Sequence, residues 1–303
     1  DDLKLTGTSR VNNPLVHLFS PSATVQKLGV ALRVNRTSIG TIRDKNGVLR
    51  TFQVDELRVN DKGALIETGS ENIARDNTPT NESWVHYGLD MHPNDTVAPD
   101  GTATATRVEV VGGNEHMYPR YNPKFDIGVA YTASIFLKAG SRHEVRFQIN
   151  SSQASGTFDI NTGTVLAQSA TTTGVGIESY ADGWYRVSVS GVSISDQSGF
   201  AALIYVDGDT SIGDDFYVWG LQLEASGHVT SFIPVVNNSA ERTTDIVRFD
   251  LGEWPNLFKG DITISAEVSL NHVTGEVEGN VNAYVWGVYP NYGDQIVGRI
   301  VAS

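Results

Sequence analysis

Cysteine is absent from the 303 residues. A disulfide framework, a thiolate zinc site and a cysteine nucleophile are therefore excluded. Cations are scarce: 22 Lys and Arg stand against 35 Asp and Glu, a formal charge of −13. They form no cluster, so the charge-neutralising contacts that hold nucleic-acid phosphates are missing. Long apolar runs are missing too. The longest, Phe200–Val206, is seven residues, whereas a membrane-spanning helix needs about 20. The first residues show no basic-plus-apolar leader pattern. With 30 Gly and 10 Pro, the chain is far from collagen or low-complexity composition. Neither a Gly-x-Ser-x-Gly elbow nor a phosphate-binding Walker loop occurs. The acids form no distinctive pair of the kind glycoside hydrolysis requires, so the protein is not expected to be an enzyme.

What remains is a chain dominated by alternation of period two. Tyr131–Lys138 places Tyr131, Ala133, Ile135 and Leu137 on one face. Glu144–Ile149 does the same with Val145, Phe147 and Ile149, and Trp184–Val189 with Tyr185, Val187 and Val189. Phe200–Val206 is apolar on both faces and reads as a buried strand. In Phe216–Glu224, Tyr217, Trp219, Leu221 and Leu223 fall on one face. Turn signals separate these runs at Gly140, Gly163, Gly183 and Gly208. Short strands at this spacing predict an all-β, antiparallel sandwich. Expected in its core are Tyr185, Val187, Leu203, Trp219, Leu221 and Leu223. Only Ser22–Val34 has apolar residues near helical spacing, at Val25, Leu28 and Leu32.

Four segments follow from composition. Residues 1–60 read as an attachment arm with a hairpin over Gly40–Gln53, turning at Asn46-Gly47, a strong hairpin signal. The arm also carries Leu15, Val16, Leu18 and Phe19, which call for a neighbour to pack on. Residues 61–80 read as a connector and 81–245 as the main β-domain. Residues 246–303 hold two further strand patterns, Asp261–Leu270 and Ala283–Tyr289. These are too few for a complete sandwich and imply a partial C-terminal β-domain, either cut short or completed by a partner.

An ordered series of motifs now carries a resemblance. It begins with Arg36-Thr-Ser-Ile-Gly-Thr41, Asp44-Lys-Asn-Gly47 and Asp55-Glu-Leu-Arg58. Gly63-Ala-Leu-Ile-Glu67 with Glu71-Asn72 follows, then Trp84 and Ala98–Ala105. Tyr131–Gly140, Gly183–Ser188, Phe216–Glu224, Thr230-Ser-Phe-Ile-Pro234 and Arg242-Thr-Thr-Asp245 complete it. The series resembles bacteriophage tail and virion structural proteins of the tail-fibre, tailspike or head-fibre type. Two motifs depart from the family's usual form: Asp55-Glu-Leu-Arg58 stands where Asn-Glu-Pro-Arg is common, and Ser70-Glu71 precede Asn72 where Arg-Thr is common. The resemblance implies a jelly-roll domain like carbohydrate-binding modules, followed by the start of a second, lectin-like β-domain. It implies a place in the virion and partners among other virion proteins. It also implies a homo-oligomer, plausibly a trimer, and a host-surface glycan as ligand. Neither nucleic acid nor membrane insertion is expected. A capsid decoration protein whose jelly roll only packs, and an accessory module of a larger polysaccharide-degrading enzyme, are the alternatives.

Two constellations qualify as sites. In the stretch Gly112–Tyr121, Tyr118, Arg120 and Tyr121 adjoin turn residues. They would present rings for stacking on sugar and a guanidinium for paired hydrogen bonds. The other reading is a hairpin whose rings pack inward. Asp207, Asp209, Asp214 and Asp215 crowd nine residues. They are candidate ligands of a structural calcium, or else the solvated tip of a hairpin. The seven histidines are scattered without ligand spacing, and Trp184 and Trp219 read as core.

Overall fold

The computed structural model describes residues 32–61, 63–74, 78–121, 123–196, 202–206, 210–235 and 240–249. It also describes the strands Lys4–Gly7, Val16–His17, Ile262–Ser265, Ala283–Asn291 and Asp294–Ile300. These fall into two compact units, residues 32–248 and residues 1–31 with 249–303.

The larger unit contains twelve strands in two six-stranded sheets. They are β1 (Trp84–Tyr87), β2 (Leu89–Thr96), β3 (Ala105–Val110), β4 (His116–Pro119), β5 (Ala130–Ala139) and β6 (Glu144–Ile149). Then come β7 (Ala154–Asp159), β8 (Thr164–Gln168), β9 (Thr172–Ser179), β10 (Trp184–Val192), β11 (Leu203–Tyr205) and β12 (Asp215–Glu224). The first sheet has the order β2-β3-β12-β5-β10-β9 and the second β8-β7-β6-β11-β4-β1. The pairs β3·β12, β4·β11 and β5·β10 are antiparallel and nested one inside the next along the chain. Successive members β3, β4 and β5 alternate between sheets, as do β10, β11 and β12. Nested pairs folded over two sheets make a jelly-roll sandwich; the alternation predicted the antiparallel sandwich, and the resemblance implied its jelly-roll form.

Alternation builds the core directly. β6 sends Val145, Phe147 and Ile149 inward, each fully buried, and β5 meets them with Ala133, Ile135 and Leu137. Of the six residues expected inside, five are buried; Tyr185 is half-buried at the margin. Trp219, however, lies in a second cluster with Leu49, Ala98, Ala105, Phe136, Tyr180, Trp184 and Phe232. Phe136 stands between Ile135 and Leu137 on β5, so this cluster covers the opposite face of the first sheet. That sheet is buried on both sides.

The expected single face of Tyr217, Trp219, Leu221 and Leu223 is corrected here. Leu221 and Leu223 join the inter-sheet core, while Tyr217 and Trp219 belong to the outer cluster. The cause is a bulge: Trp219 pairs with Phe136 but Gln222 with Ser134, leaving two residues opposite one. Gly220 makes this possible at φ +66°, with Phe136 Cδ2 only 2.9 Å from where a Cβ would stand. Gly220→Ala would combine left-handed strain with a ring clash, and is expected to cost about 2–4 kcal/mol. A urea midpoint within error of wild type would refute the bulge's role.

The larger unit runs across the boundary expected at residue 60, grouping residues 32–80 with the sandwich. The hairpin Gly40–Arg43 with Leu49–Phe52 forms as its Asn-Gly signal predicts. Gly47 at its tip accepts the Ala181 N–H at 2.9 Å. Leu32–Asn35 pairs with Ile246–Phe249. Of the stretch expected to be helical, Ser22–Val34, residues 32–34 are strand and the rest lies outside the described residues.

Several residues of the motif series converge here. Arg36, Arg58 and Arg242 are at most 1% exposed. Arg36 Nη1 donates to Asp245 Oδ1 at 2.7 Å, and Arg58 Nη2 donates to Asp245 Oδ2. Arg58 Nη1 also reaches Glu67 Oε2 at 2.7 Å, with Arg242 Nη1 3.1 Å from the same oxygen. Ser231 Oγ donates to it at 2.6 Å. Asn72 is buried with its amide donating to the Leu221 carbonyl at 2.9 Å, while its Oδ1 accepts the Leu223 N–H at 3.1 Å. The network ties hairpin, connector and the strand Glu241–Arg242 to β12. Buried charges of this kind persist only when paired.

Glu67 makes the network pH-sensitive. Burial raises its carboxyl, but Arg242, Arg58 and the Ser231 hydrogen bonds outweigh this and hold it below its ordinary 4.5. A depressed folded value stabilises fully above the unfolded pKa and is lost as pH falls through the folded one. Urea midpoints should therefore decline on acidification below pH 4.5. Glu67→Gln should start from a lower plateau and decline less; parallel curves would contradict the assignment.

In the smaller unit, Lys4–Gly7 lies between Val16–His17 and Ile262–Ser265, antiparallel to both. Ala283–Asn291 and Asp294–Ile300 pair with each other. The strand expected at Ala283–Tyr289 is thus present, and that at Asp261–Leu270 is described over Ile262–Ser265. The N-terminal strand supplies one partner expected to come from elsewhere. Leu15, Leu18 and Phe19 lie outside the described residues.

Candidate functional site

The outer face of the second sheet carries the site, and period two decides which residues reach it. On β11, Ile204 points into the core while Leu203 and Tyr205 point out. On β4, Met117 points in while His116 and Tyr118 point out. Register then sets a row across four strands. His116 pairs with Tyr87 on one side and Tyr205 on the other, and Tyr205 pairs with Arg146 of β6.

The rings of this row stack. Tyr87 and His116 have centroids 4.7 Å apart and planes 17° from parallel; His116 and Tyr205 are 5.8 Å and 30° apart. Coplanar rings lying flat on the sheet would collide at 4.7 Å, so these stand side by side with overlapping faces. The Arg146 guanidinium closes the stack 4.2 Å from the Tyr205 centroid. The row is therefore one of ring edges and not a flat platform. It presents phenol hydroxyls, an imidazole and a guanidinium, with the far face of half-exposed Tyr87 at the end.

An open cleft of about 500 Å³ runs along this row, lined by Tyr87, Asn114, His116, Tyr118, Asn150, Leu203 and Tyr205. His116 Nδ1 lies 2.8 Å from the Asn114 carbonyl oxygen. A carbonyl can only accept, so Nδ1 carries a proton and neutral His116 keeps Nε2 as an acceptor. Tyr118 sits 6.5 Å from Tyr87 and 6.2 Å from His116, centroid to centroid. Its hydroxyl pKa is raised, first by burial and then by its hydrogen bond to Tyr87, with Arg120 acting in the opposite sense.

The sequence-predicted residues divide. Tyr118 lines the cleft from a strand, not a loop. Arg120 is exposed, and its backbone N–H donates to the Ser83 carbonyl at 2.9 Å, extending the β4–β1 ladder. Tyr121 is half exposed and not among the lining residues. Tyr87, His116 and Tyr205 were not singled out from the sequence. The His-x-Tyr alternation at 116–118 was the available signal, but only register joins His116 to partners 29 and 89 positions away.

Of the acidic loop, Asp207 and Asp209 lie outside the described residues. Asp214 Oδ2 accepts the Ser211 N–H at 3.0 Å, and Asp215 Oδ1 accepts the Ser141 N–H at 2.8 Å. These two carboxylates serve separate turns. Among the described residues, no group of three His, Asp or Glu side chains is placed to hold a metal.

No family model matches this sequence, and neither does any curated protein sequence. Among solved structures, similarity is found to the CBM22-1 and GH10 modules of an N-terminal endo-1,4-β-D-xylanase from Clostridium thermocellum, complexed with xylohexaose. That match has 18% identity and a TM-score of 0.29, and spans 50% of this chain and 28% of the xylanase chain.

Proposed function

We propose that the protein is a non-catalytic saccharide-binding β-sandwich serving as an adhesive structural part of a phage particle. The observation that carries the binding reading is the row Tyr87–His116–Tyr205–Arg146 along an open cleft with two asparagine amides. Sugars offer hydroxyls for such polar edges and C–H faces for exposed rings. The lining contains no Asp or Glu, and acid–base glycoside hydrolysis needs a pair; this favours binding over turnover. The particle reading rests on the ordered motif series of the sequence. In that setting the partners are other virion proteins and further copies of this chain. A single shallow site binding near ~1 mM gains orders of magnitude when many copies engage one surface.

The test is a panel of bacterial surface glycans probed with the full chain. Tyr87→Ala is expected to weaken binding about tenfold with little change in Tm, because Tyr87 is 48% exposed. Tyr121→Ala, outside the cleft, should bind like wild type. If Tyr121→Ala abolishes binding and Tyr87→Ala does not, the site lies elsewhere.

A further inference from the structure

We infer that the cleft is built for an acetamido sugar, with His116 as the residue that selects it; this rests on the saccharide-binding reading above. His116 offers the cleft a single chemical group. Its two faces are flanked by the rings of Tyr87 and Tyr205, and its Nδ1 proton is engaged by the Asn114 carbonyl 2.8 Å away. What is left is the in-plane lone pair of Nε2. That nitrogen makes no hydrogen bond among the described residues and is not one of their buried unpartnered atoms. It therefore opens on the cleft that His116 lines. There the neutral ring accepts and cannot donate.

Beside this acceptor lies an apolar recess. The register that pairs His116 with Tyr205 and Met117 with Ile204 sets Leu203 opposite Tyr118, and Tyr118 pairs with Val85 on its other side. This second row is two residues along from the first, about 6.6 Å at ~3.3 Å per residue, close enough for one substituent to touch both. Leu203 is 4% exposed and Tyr118 8%, yet both line the cleft. They are thus its floor, while half-exposed Tyr87 stands at its rim. A sugar hydroxyl can satisfy Nε2, but it leaves this floor wet or sets a polar group on it. An acetamido group answers both. Its N–H, which can only donate, meets Nε2, and its methyl covers Leu203. Its carbonyl, which can only accept, finds a donor in the side-chain amide of exposed Asn114.

The test titrates the full chain by calorimetry with pairs of saccharides that differ in this one substituent. Oligomers of N-acetylglucosamine are set against cello-oligomers of the same linkage. The methyl glycosides of N-acetylgalactosamine and N-acetylmannosamine are set against those of galactose and mannose. At least one acetamido member should bind about tenfold or more tighter than its hydroxyl partner. His116→Phe keeps a ring in the stack and removes the lone pair. It is expected to shrink that preference about threefold or more, the worth of one hydrogen bond. Hydroxyl members bound as tightly or more tightly in every pair overturn the acetamido selectivity and leave saccharide binding standing. A preference undiminished in folded His116→Phe overturns the role of His116, and the wild-type pairs decide the selectivity whether or not that variant folds. No binding of any member at about 10 mM, well above the ~1 mM expected of one site, overturns the selectivity and the saccharide reading together.

Discussion

Asp245→Ala is expected to destabilise the Leu32–Arg248 unit by about 3–5 kcal/mol, because it strips a buried charge pair of its anion. Asp245 receives Arg36 on one oxygen and Arg58 on the other, and both arginines are fully buried. The same Oδ2 accepts the Glu67 N–H at 2.9 Å. Removing the carboxylate leaves two guanidinium groups out of water, and Arg36 keeps only the Ser38 and Gln53 carbonyls. Glu67 cannot compensate, since it already faces Arg58 and Arg242. Measured by urea denaturation, a loss below about 1 kcal/mol would mean that water reaches the arginines and the network is a surface feature. An apolar triple replacement of similar volume is the informative companion. Swapping a buried ionic set for well-packed hydrophobes is often neutral or stabilising, so a rescued midpoint would assign the network to specificity of fold.

Trp219→Ala is expected to cost about 3–5 kcal/mol, as truncation of a large core aromatic does. Trp219 is 3% exposed, its ring 5.0 Å from Phe232 and 5.4 Å from Phe136, and its Nε1 donates to Thr104 Oγ1 at 3.0 Å. The outer cluster is where the 40–53 hairpin meets the first sheet through Leu49. The loss should therefore be accompanied by faster amide exchange in Gly40–Phe52, while β6 and β7 stay protected. Uniform loss of protection would show that the two cores unfold as one.

The sandwich was legible because burial on one face writes a period of two into the sequence, and β6 obeys it residue by residue. Where both faces are buried the pattern fails. On β12 a simple alternation joined Trp219 to Leu221, and the bulge at Gly220 separates them. A glycine inside a strand was the visible hint. The ionic network was half legible. Its members Arg36, Arg58, Glu67, Arg242 and Asp245 all lie in motifs the sequence singled out. That they meet each other is set by separations of up to 209 residues, which no local pattern encodes. The cleft was least legible. Tyr118 was found by its place near a turn, but Tyr205 sat inside an apolar run that reads as buried on both faces. His116 becomes part of a row only through its two neighbours on β1 and β11. Cross-strand pairing, not composition, creates that site.

The claim that the outer face of the second sheet binds saccharide is tested most directly by hydrogen–deuterium exchange on the full chain. Exchange is recorded with and without a glycan that binds. Slowed exchange confined to residues 84–87, 114–118, 144–150 and 203–205 is the predicted result. Protection at residues 207–215 or 240–249 instead, with those four segments unchanged, would contradict it.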